Sequence, residues 1–294
     1  MTGTNAAMRA ASFVFSMVVV ASLPAAAGPN DIELLGLVDT TDPDNPKARN
    51  AEFRSLVREL GVIFTPSSQQ LAETTGVAGF EFAVDYAFHP VNIDKPYWQD
   101  ALETKGSRLP MTLGARARKG FLLPIPLASE VEVGAQWLVE SQMLNLGANV
   151  KLALNEGFTG NHWWVGVPDI AVTAGINRVV GSDDLDLLTV TTGATISKGF
   201  GLFGSLNLAP FVGYQSVFIN ASTRLVDANP TNTSNVDDNV VFDVVDLADN
   251  RIDRISLGAR LIISHVLLQG GVDINILDPE TTIVQTGIRA GVSF

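Results

Sequence analysis

The sequence predicts an all-β fold: a closed antiparallel transmembrane barrel of about ten strands, preceded by a short N-terminal helix. Hydrophobic and polar residues alternate over much of the chain from residue 79 onwards. Hydrophobic residues form 46% of the chain and charged residues only 17%, against about 25% charged in average soluble domains. No segment after residue 27 has the pattern of a membrane-spanning helix. A soluble sandwich also has period two, but a closed barrel is the non-helical structure that satisfies backbone groups inside lipid.

Residues 1–27 have the form of a secretory signal peptide. Arg9 is followed by the apolar run Ala10–Leu23 and by Ala25-Ala26-Ala27. A charged start, a short apolar core and small residues at the end are typical of such signals. The run is shorter than the roughly 20 residues of a spanning helix. We expect cleavage after Ala27, which leaves a mature chain that starts at Gly28.

Composition excludes several classes of site. The chain has no cysteine, which excludes disulfides, thiolate metal sites and a lipoprotein anchor cysteine. The net charge of −12 argues against nucleic-acid binding, which needs a basic surface. We expect no cofactor, and the oligomeric state is not encoded in any pattern that we can identify.

Residues 28–78 form a separate N-terminal segment with one amphipathic helix. Phe53, Leu56, Val57 and Leu60 fall at helical spacing, and Gly61 stands where a helix end is expected. The segment caps or plugs the barrel, or it lies in the periplasm; the pattern leaves both open.

The barrel itself is predicted to occupy residues 79–294. Each strand has one apolar and one polar face, because successive side chains point to opposite sides. Ten strands are counted, near 80–89, 110–119, 130–139, 144–155, 168–179, 187–197, 203–225, 252–264, 266–276 and 283–294. Twelve is the alternative if Glu33–Val38 and Val62–Thr65 also pair.

A charged-Gly-Phe signal recurs where strands are expected to end. The copies are Lys119-Gly120-Phe121, Glu156-Gly157-Phe158 and Lys198-Gly199-Phe200. Their spacing is about two strands with their turns, and every second turn of a hairpin array lies on the same side. The three copies therefore mark one rim.

The last strand alternates and ends in an aromatic residue. Ile288, Val292 and Phe294 fall on one face, with Arg289 on the other. This strand resembles the C-terminal assembly signal of bacterial outer-membrane β-barrels. The resemblance implies recognition by the barrel-assembly machinery and an even strand number. It also implies that both termini are periplasmic, that the protein lies in the outer membrane of a Gram-negative-type bacterium, and that it contacts membrane lipid and lipopolysaccharide.

This orientation makes the connections near 90–109 and 226–251 long outer loops, as is usual in such barrels. Closure requires the last strand to pair with the first. We therefore predict an ion pair across this seam, either Arg289–Asp85 or Arg289–Glu81.

Eight charged residues are predicted to face the lumen, and they carry the functional hypothesis. They are Arg116, Arg118, Glu130, Glu132, Lys151, Arg260, Asp273 and Arg289. Such residues can line a pore constriction, which favours a channel or transporter for small solutes. The alternative is a packed polar interior in a structural or interaction barrel that displays its outer loops. The sequence does not decide whether the lumen is open or filled.

Other chemistry-bearing residues give weaker signals. His89 lies near Asp94 in the sequence, while His162 and His265 fall at the inner rim. No serine hydrolase, phosphate-loop or zinc-protease motif occurs, so we expect no enzyme. Two acidic clusters are interpreted as solvated loops. The alternative is that divalent ions bridge these clusters to lipopolysaccharide phosphates. The first cluster is Asp183, Asp184 and Asp186, and the second is Asp237, Asp238, Asp243, Asp246 and Asp249. Two aromatic clusters suit the membrane interface; they are Tyr97 with Trp98, and His162 with Trp163 and Trp164.

Overall fold

A computed structural model of the chain describes residues 28, 30–42, 45–67, 70–102, 110–122, 127–156, 167–202, 206–229, 239–278 and 281–294. The predicted signal peptide at 1–27 lies outside the described residues. So do Gly157 and Phe158 of the second turn signal, the cluster His162-Trp163-Trp164, and the acidic residues Asp237 and Asp238.

Ten long strands form the barrel. They are β1 (Phe80–Phe88), β2 (Met111–Leu122), β3 (Ala128–Leu138), β4 (Leu144–Ala153), β5 (Asp169–Val180), β6 (Leu185–Ser197), β7 (Leu206–Thr223), β8 (Arg251–Ile263), β9 (Val266–Asp278) and β10 (Thr281–Ser293). Each pairs antiparallel with the next along the chain, and β10 pairs with β1. The fold class and the count of ten are confirmed. The twelve-strand alternative is wrong, because Val62–Thr65 covers the end of a helix and Glu33–Val38 is mostly a 3-10 turn.

The seam between β10 and β1 has the predicted register. Arg289 lies directly opposite Asp85, and the two side chains form an ion pair. The first of the two predicted seam contacts is therefore confirmed. Phe80 and Phe294 exchange two backbone hydrogen bonds of 3.0 and 2.9 Å, so the barrel begins and ends at one rim. We call this the inner rim and the opposite one the outer rim.

The exterior of the barrel is apolar. Outward residues such as Val84, Val133, Leu146 and Ile288 are 48 to 65% exposed, and their inward neighbours are mostly polar. An apolar surface of this extent is not stable in water. A closed barrel leaves no unpaired strand edge, so it can lie in lipid. The barrel is therefore a membrane-spanning structure.

Two helices and several short pairings are not part of the barrel wall. Helix α1 is Asn50–Phe64 and helix α2 is Pro96–Ala101, in the connection between β1 and β2. A 3-10 turn covers Leu34–Leu37. Short strand pairs join Val38–Asp39 to Lys47–Ala48, and Val226–Asp227 to Asn239–Val240, while Phe200–Leu202 pairs with the start of β7. Within the described residues, no helix is long and apolar enough to cross a membrane.

Gly61 does not end helix α1, contrary to the prediction. The helix continues for three residues to Phe64. A Cβ atom at position 61 would overlap the side chain of Ile219 on β7. This glycine therefore permits close approach of the helix to the barrel wall.

The first charged-Gly-Phe turn also differs from its prediction. Strand β2 runs through Lys119-Gly120-Phe121 as far as Leu122, so this copy lies inside the strand end. A Cβ atom at Gly120 would overlap the carbonyl of Gly76. The third copy follows β6 as expected and leads into the Phe200–Leu202 strand.

Candidate functional site: the filled lumen

The chain before β1 runs inside the barrel. From the inner rim towards the middle of the lumen, the amide of Thr75 donates to Glu130 (2.9 Å) and the amide of Ala72 donates to Ser197 (2.9 Å). Farther along, Ser67 bonds to Asp273. Each of these wall residues points inward from a different strand. We call residues 65–67 and 70–79 the lumen segment.

Four wall side chains bind the carbonyl groups at the end of α1. Gln285 donates to Val62 (3.0 Å), Gln136 to Ile63 (3.3 Å) and Asn145 to Phe64 (2.8 Å). Arg254 donates to Val62, Thr65 and Pro66 at 2.9 to 3.2 Å. The last carbonyls of a helix have no partner within it, and a cation there complements the helix dipole. We call these four side chains the collar.

Above the collar, α1 fills the outer half of the lumen with apolar contacts. Phe53, Leu56, Leu60 and Phe64 are fully buried. They belong to one cluster with inward residues at the outer strand ends, among them Val179, Leu187, Val217, Ile219 and Ile252. The connection between β7 and β8 folds over the helix, where the rings of Phe53 and Phe242 lie 4.8 Å apart.

Glu59 joins α1 to the connection that carries α2. Its buried carboxylate accepts hydrogen bonds from Lys95 (2.8 Å), Tyr97 (2.7 Å) and Trp98. Burial opposes the charge of Lys95, but its bonds to Glu59 and Tyr97 raise the pKa of the amine. Burial raises the pKa of Tyr97 to about 12. Trp98 is 3% exposed, so its predicted place in an interfacial belt is wrong: it packs inward against α1.

Below the collar, the inner half of the lumen is a network of charges. All eight predicted lumen residues point inward and are buried. Six ion pairs join seven side chains, namely Glu81, Asp85, Arg116, Arg118, Glu132, Arg260 and Arg289. Lys151 pairs separately with Glu130 at 2.9 Å and donates to the carbonyls of Leu71 and Glu73. Asp273 accepts from Ser256 and Ser67.

The eight lumen residues predicted from the sequence did not include several other charged or polar residues that face the lumen. Arg254 is fully buried and is the centre of the collar. It lies on the same face of β8 as Arg260, so the alternation of the strand alone could have identified it. Glu81 and Asp85 were placed inward only as seam partners. His89 is buried against Thr112 (2.9 Å) and Gln285, not beside Asp94, because it continues the inward parity of β1.

Small cavities lie among these side chains. One cavity of about 20 Å³ is lined by His89, Arg116, Asp273, Arg289 and their neighbours. Two of about 10 Å³ lie beside Pro66, between the lumen segment and the wall. A single water needs roughly 10 to 15 Å³ of such volume, so each of these cavities has room for about one water molecule.

The remaining candidate residues lie at the rims. His265 is exposed at the inner rim, where its ring stacks on Phe294 at 5.4 Å. Asp183, Asp184, Asp243, Asp246 and Asp249 lie in outer connections, and Asp186 faces outward near the start of β6, where it pairs with Arg178. Among the described residues, no group of three or more acidic or histidine side chains is arranged to hold a metal ion. Ile288, Val292 and Phe294 face outward; their role as an assembly signal stays a prediction.

No protein-family model and no curated protein matches this sequence. Among solved structures, LpxR from Salmonella typhimurium aligns with 73% of this chain and 99% of its own, at 11% identity and a TM-score of 0.35. Outer membrane protein Omp33 of Acinetobacter baumannii covers 74% and 100%, at 10% identity and 0.30. Neisserial surface protein A covers 73% and 95%, at 10% identity and 0.28. Such low scores carry no argument about activity.

The barrel's own architecture supplies the assignment. It is closed, antiparallel, even in strand number and apolar outside, with its first and last strands meeting at one rim. Bacterial outer-membrane barrels have this construction. The chain therefore forms a closed transmembrane β-barrel of the bacterial outer-membrane type, with its own N-terminal residues inside the lumen.

Proposed function

We propose that the protein is a closed structural or interaction barrel that presents its outer connections at the cell surface. The observation that carries this proposal is the occupation of the lumen by α1 and the lumen segment, which are hydrogen-bonded to wall side chains on several strands. An eight-stranded barrel is filled by side chains alone, whereas sixteen strands leave an aqueous channel. Ten strands leave a narrow space, and α1 with the lumen segment takes it up.

A channel for small solutes was the first expectation from the sequence. Conduction needs a continuous polar path, and the lumen charges were its candidate lining. Arg116 and Glu132, however, pair at 2.9 Å instead of facing open water. The outer half is packed with apolar side chains from α1. These contacts favour the closed barrel over the channel.

We also infer that the protein is not an enzyme. His89 is held between Thr112 and Gln285 in the lumen, and His265 stacks on the C-terminal ring. His89 has the hydroxyl of Thr112 beside it, but in the described part of the chain neither histidine bonds to a carboxylate as a hydrolytic triad requires. Lipid and lipopolysaccharide around the barrel, and the assembly machinery, remain its proposed partners.

Conductance across a planar bilayer tests the closed state. The purified full-length protein should give no stepwise currents. A Gly61→Phe variant should conduct, because the ring cannot fit beside Ile219 and α1 is displaced. Arg54→Phe is its control, since Arg54 is an exposed residue of the same helix, and it should stay silent. Heat-modifiable migration on gels verifies that both variants form barrels. Steady currents from the unchanged protein would contradict the proposal.

A further inference from the structure

The lumen segment and α1 connect the two rims of the barrel from the inside. Lys119, at the inner rim, donates to the carbonyls of Val77 and Gly79 at 2.9 and 3.1 Å. At the other end of α1, the side chain of Asn50 accepts from the amide of Asp243 at 3.0 Å, in the outer connection between β7 and β8. The chain therefore passes from one rim to the other between residues 50 and 79.

The described contacts of residues 30–42 and 45–49 with the rest of the barrel are with elements of the outer rim. The side chain of Asn30 donates to Val139 (2.8 Å) and its amide donates to Glu140 (3.1 Å), both in the outer β3–β4 turn. Arg49 pairs with Asp100 at 2.6 Å, at the end of α2. The end of the described chain at Gly28 is thus at the rim opposite Phe294. This differs from the resemblance, which places both termini in the periplasm.

We propose that the barrel carries its own N-terminal segment across the outer membrane, so that residues 28–49 are displayed on the cell surface. The route is the lumen. Helix α1 contains Arg54, Arg58 and Glu59, and a helix with these charges is costly to place in lipid. Inside the barrel, Arg58 donates to the carbonyl of Leu277 and Glu59 accepts from Lys95.

The closed seam defines the route of the segment. Strands β10 and β1 are paired from Thr286–Phe88 to Ser293–Glu81, so the ring of strands is closed around it. Helix α1 therefore reaches the outer rim along the lumen, either before the seam forms or by threading through the closed ring. The barrel then acts as an exporter of one polypeptide, namely its own N-terminus. This inference does not rest on the closed-barrel proposal, because a leaky lumen would carry the segment equally well.

Labelling of single cysteines on intact cells tests the display. The chain has no cysteine of its own, so Thr40→Cys, Val241→Cys and Val77→Cys each give one site, and all three residues are exposed. With a membrane-impermeant maleimide, residues 40 and 241 should label to the same extent on intact cells. Residue 77 should label only after the outer membrane is permeabilised. Labelling at 241 with none at 40 would overturn the proposal. Labelling at 77 with none at 40 and 241 would overturn it too, because the segment would then end in the periplasm.

Extensions inserted directly before Gly28 test the route. An unstructured Gly/Ser extension with an epitope should pass through the lumen and be detected on intact cells. A disulfide-locked folded domain at the same place is too wide for a ten-stranded lumen, so heat-modifiable barrel should be lost. If barrels form with the folded domain held in the periplasm, the segment does not pass through the lumen and the inference is wrong.

Discussion

The outer and inner halves of the lumen are filled in different ways by one continuous piece of chain. In the outer half the filler is a helix among apolar side chains; in the inner half it is extended backbone among charges. A helix satisfies most of its own backbone hydrogen bonds, so it needs no polar wall. An extended segment satisfies few internally, and buried backbone groups need partners. The chemistry of the wall therefore follows the secondary structure of what it encloses.

The collar lies where these two regimes meet. Its four side chains bind the carbonyl groups that α1 leaves unpaired, and they do so at the height where the wall changes from apolar to charged. The outer half depends on packed volume, the inner half depends on charge pairing, and the collar depends on individual hydrogen bonds.

The largest effect is expected from Glu132→Ala in the inner half. Glu132 pairs with both Arg116 and Arg118, and its removal leaves two buried cations with fewer partners. Breaking a buried pair from one side lowers the free energy of unfolding by about 3–5 kcal/mol. Denaturant unfolding in detergent micelles measures this loss. A loss below about 1 kcal/mol, the range of an exposed pair, would mean that water screens the inner network.

In the outer half, Leu60→Ala removes a fully buried side chain of α1. Such a change lowers the free energy of unfolding by about 2–5 kcal/mol, depending on how far the site collapses. Leu225→Ala is the matched control, because Leu225 is 66% exposed, and it should change stability by less than about 0.5 kcal/mol. Equal effects of the two changes would show that α1 is not packed.

At the collar, Asn145→Leu keeps the size of the side chain and removes the donor to the Phe64 carbonyl. An unpaired buried acceptor lowers the free energy of unfolding by about 1–3 kcal/mol. The same unfolding experiment measures it. Unchanged stability would indicate that another donor replaces Asn145, and the collar would then not depend on this bond.

The pH dependence of the α1–α2 contact gives a smaller effect. The pKa of Tyr97 rises from its ordinary value of 10.0 to about 12 in the folded protein. Between these values the unfolded chain loses the phenolic proton while the folded chain keeps it, so the free energy of unfolding falls as the pH rises. Tyr97→Phe should remove this component of the decline. If the free energy of unfolding falls equally with rising pH in the unchanged protein and in the Tyr97→Phe variant, Tyr97 does not make the buried contact between α1 and α2.

The smallest effect is expected from Asp186→Asn. Asp186 pairs with Arg178 at 2.8 Å, but both side chains are at least half exposed. Surface pairs contribute about 0–1 kcal/mol, so the free energy of unfolding should hardly change. A loss as large as that of Glu132→Ala would remove the distinction between lumen and exterior pairs.

Alternation along the strands predicted the ten strands, the inward charges and the Arg289–Asp85 seam. These follow from local geometry, since side chains of a strand alternate faces whatever else the protein does. The position of α1 did not follow. An amphipathic helix shows which face is buried, but it does not show which surface covers that face.

One signal for the filled lumen was present in the sequence. Val217, Ile219 and Ala221 continue the inward parity of Gln215 on β7, and Leu185 and Leu187 continue that of Thr189 on β6. An inward face that changes from polar to apolar towards the outer end indicates that something apolar occupies the outer mouth. The alternation of strand residues could not predict that Trp98 packs inward, because its position depends on how an irregular connection folds over Glu59.

A disulfide between α1 and the barrel wall tests most directly whether the chain fills its own lumen. Gly61 contacts Ile219, which points inward from β7, whereas Phe218 beside it points outward. In the variant with Gly61→Cys and Ile219→Cys, loss of the isoleucine side chain makes room for a sulfur bridge. Oxidation of folded barrels in the outer membrane should consume both thiols. The control pair at 61 and 218 should keep its thiols free. If the thiols at 61 and 219 stay free, or if both pairs link equally, helix α1 does not occupy the lumen.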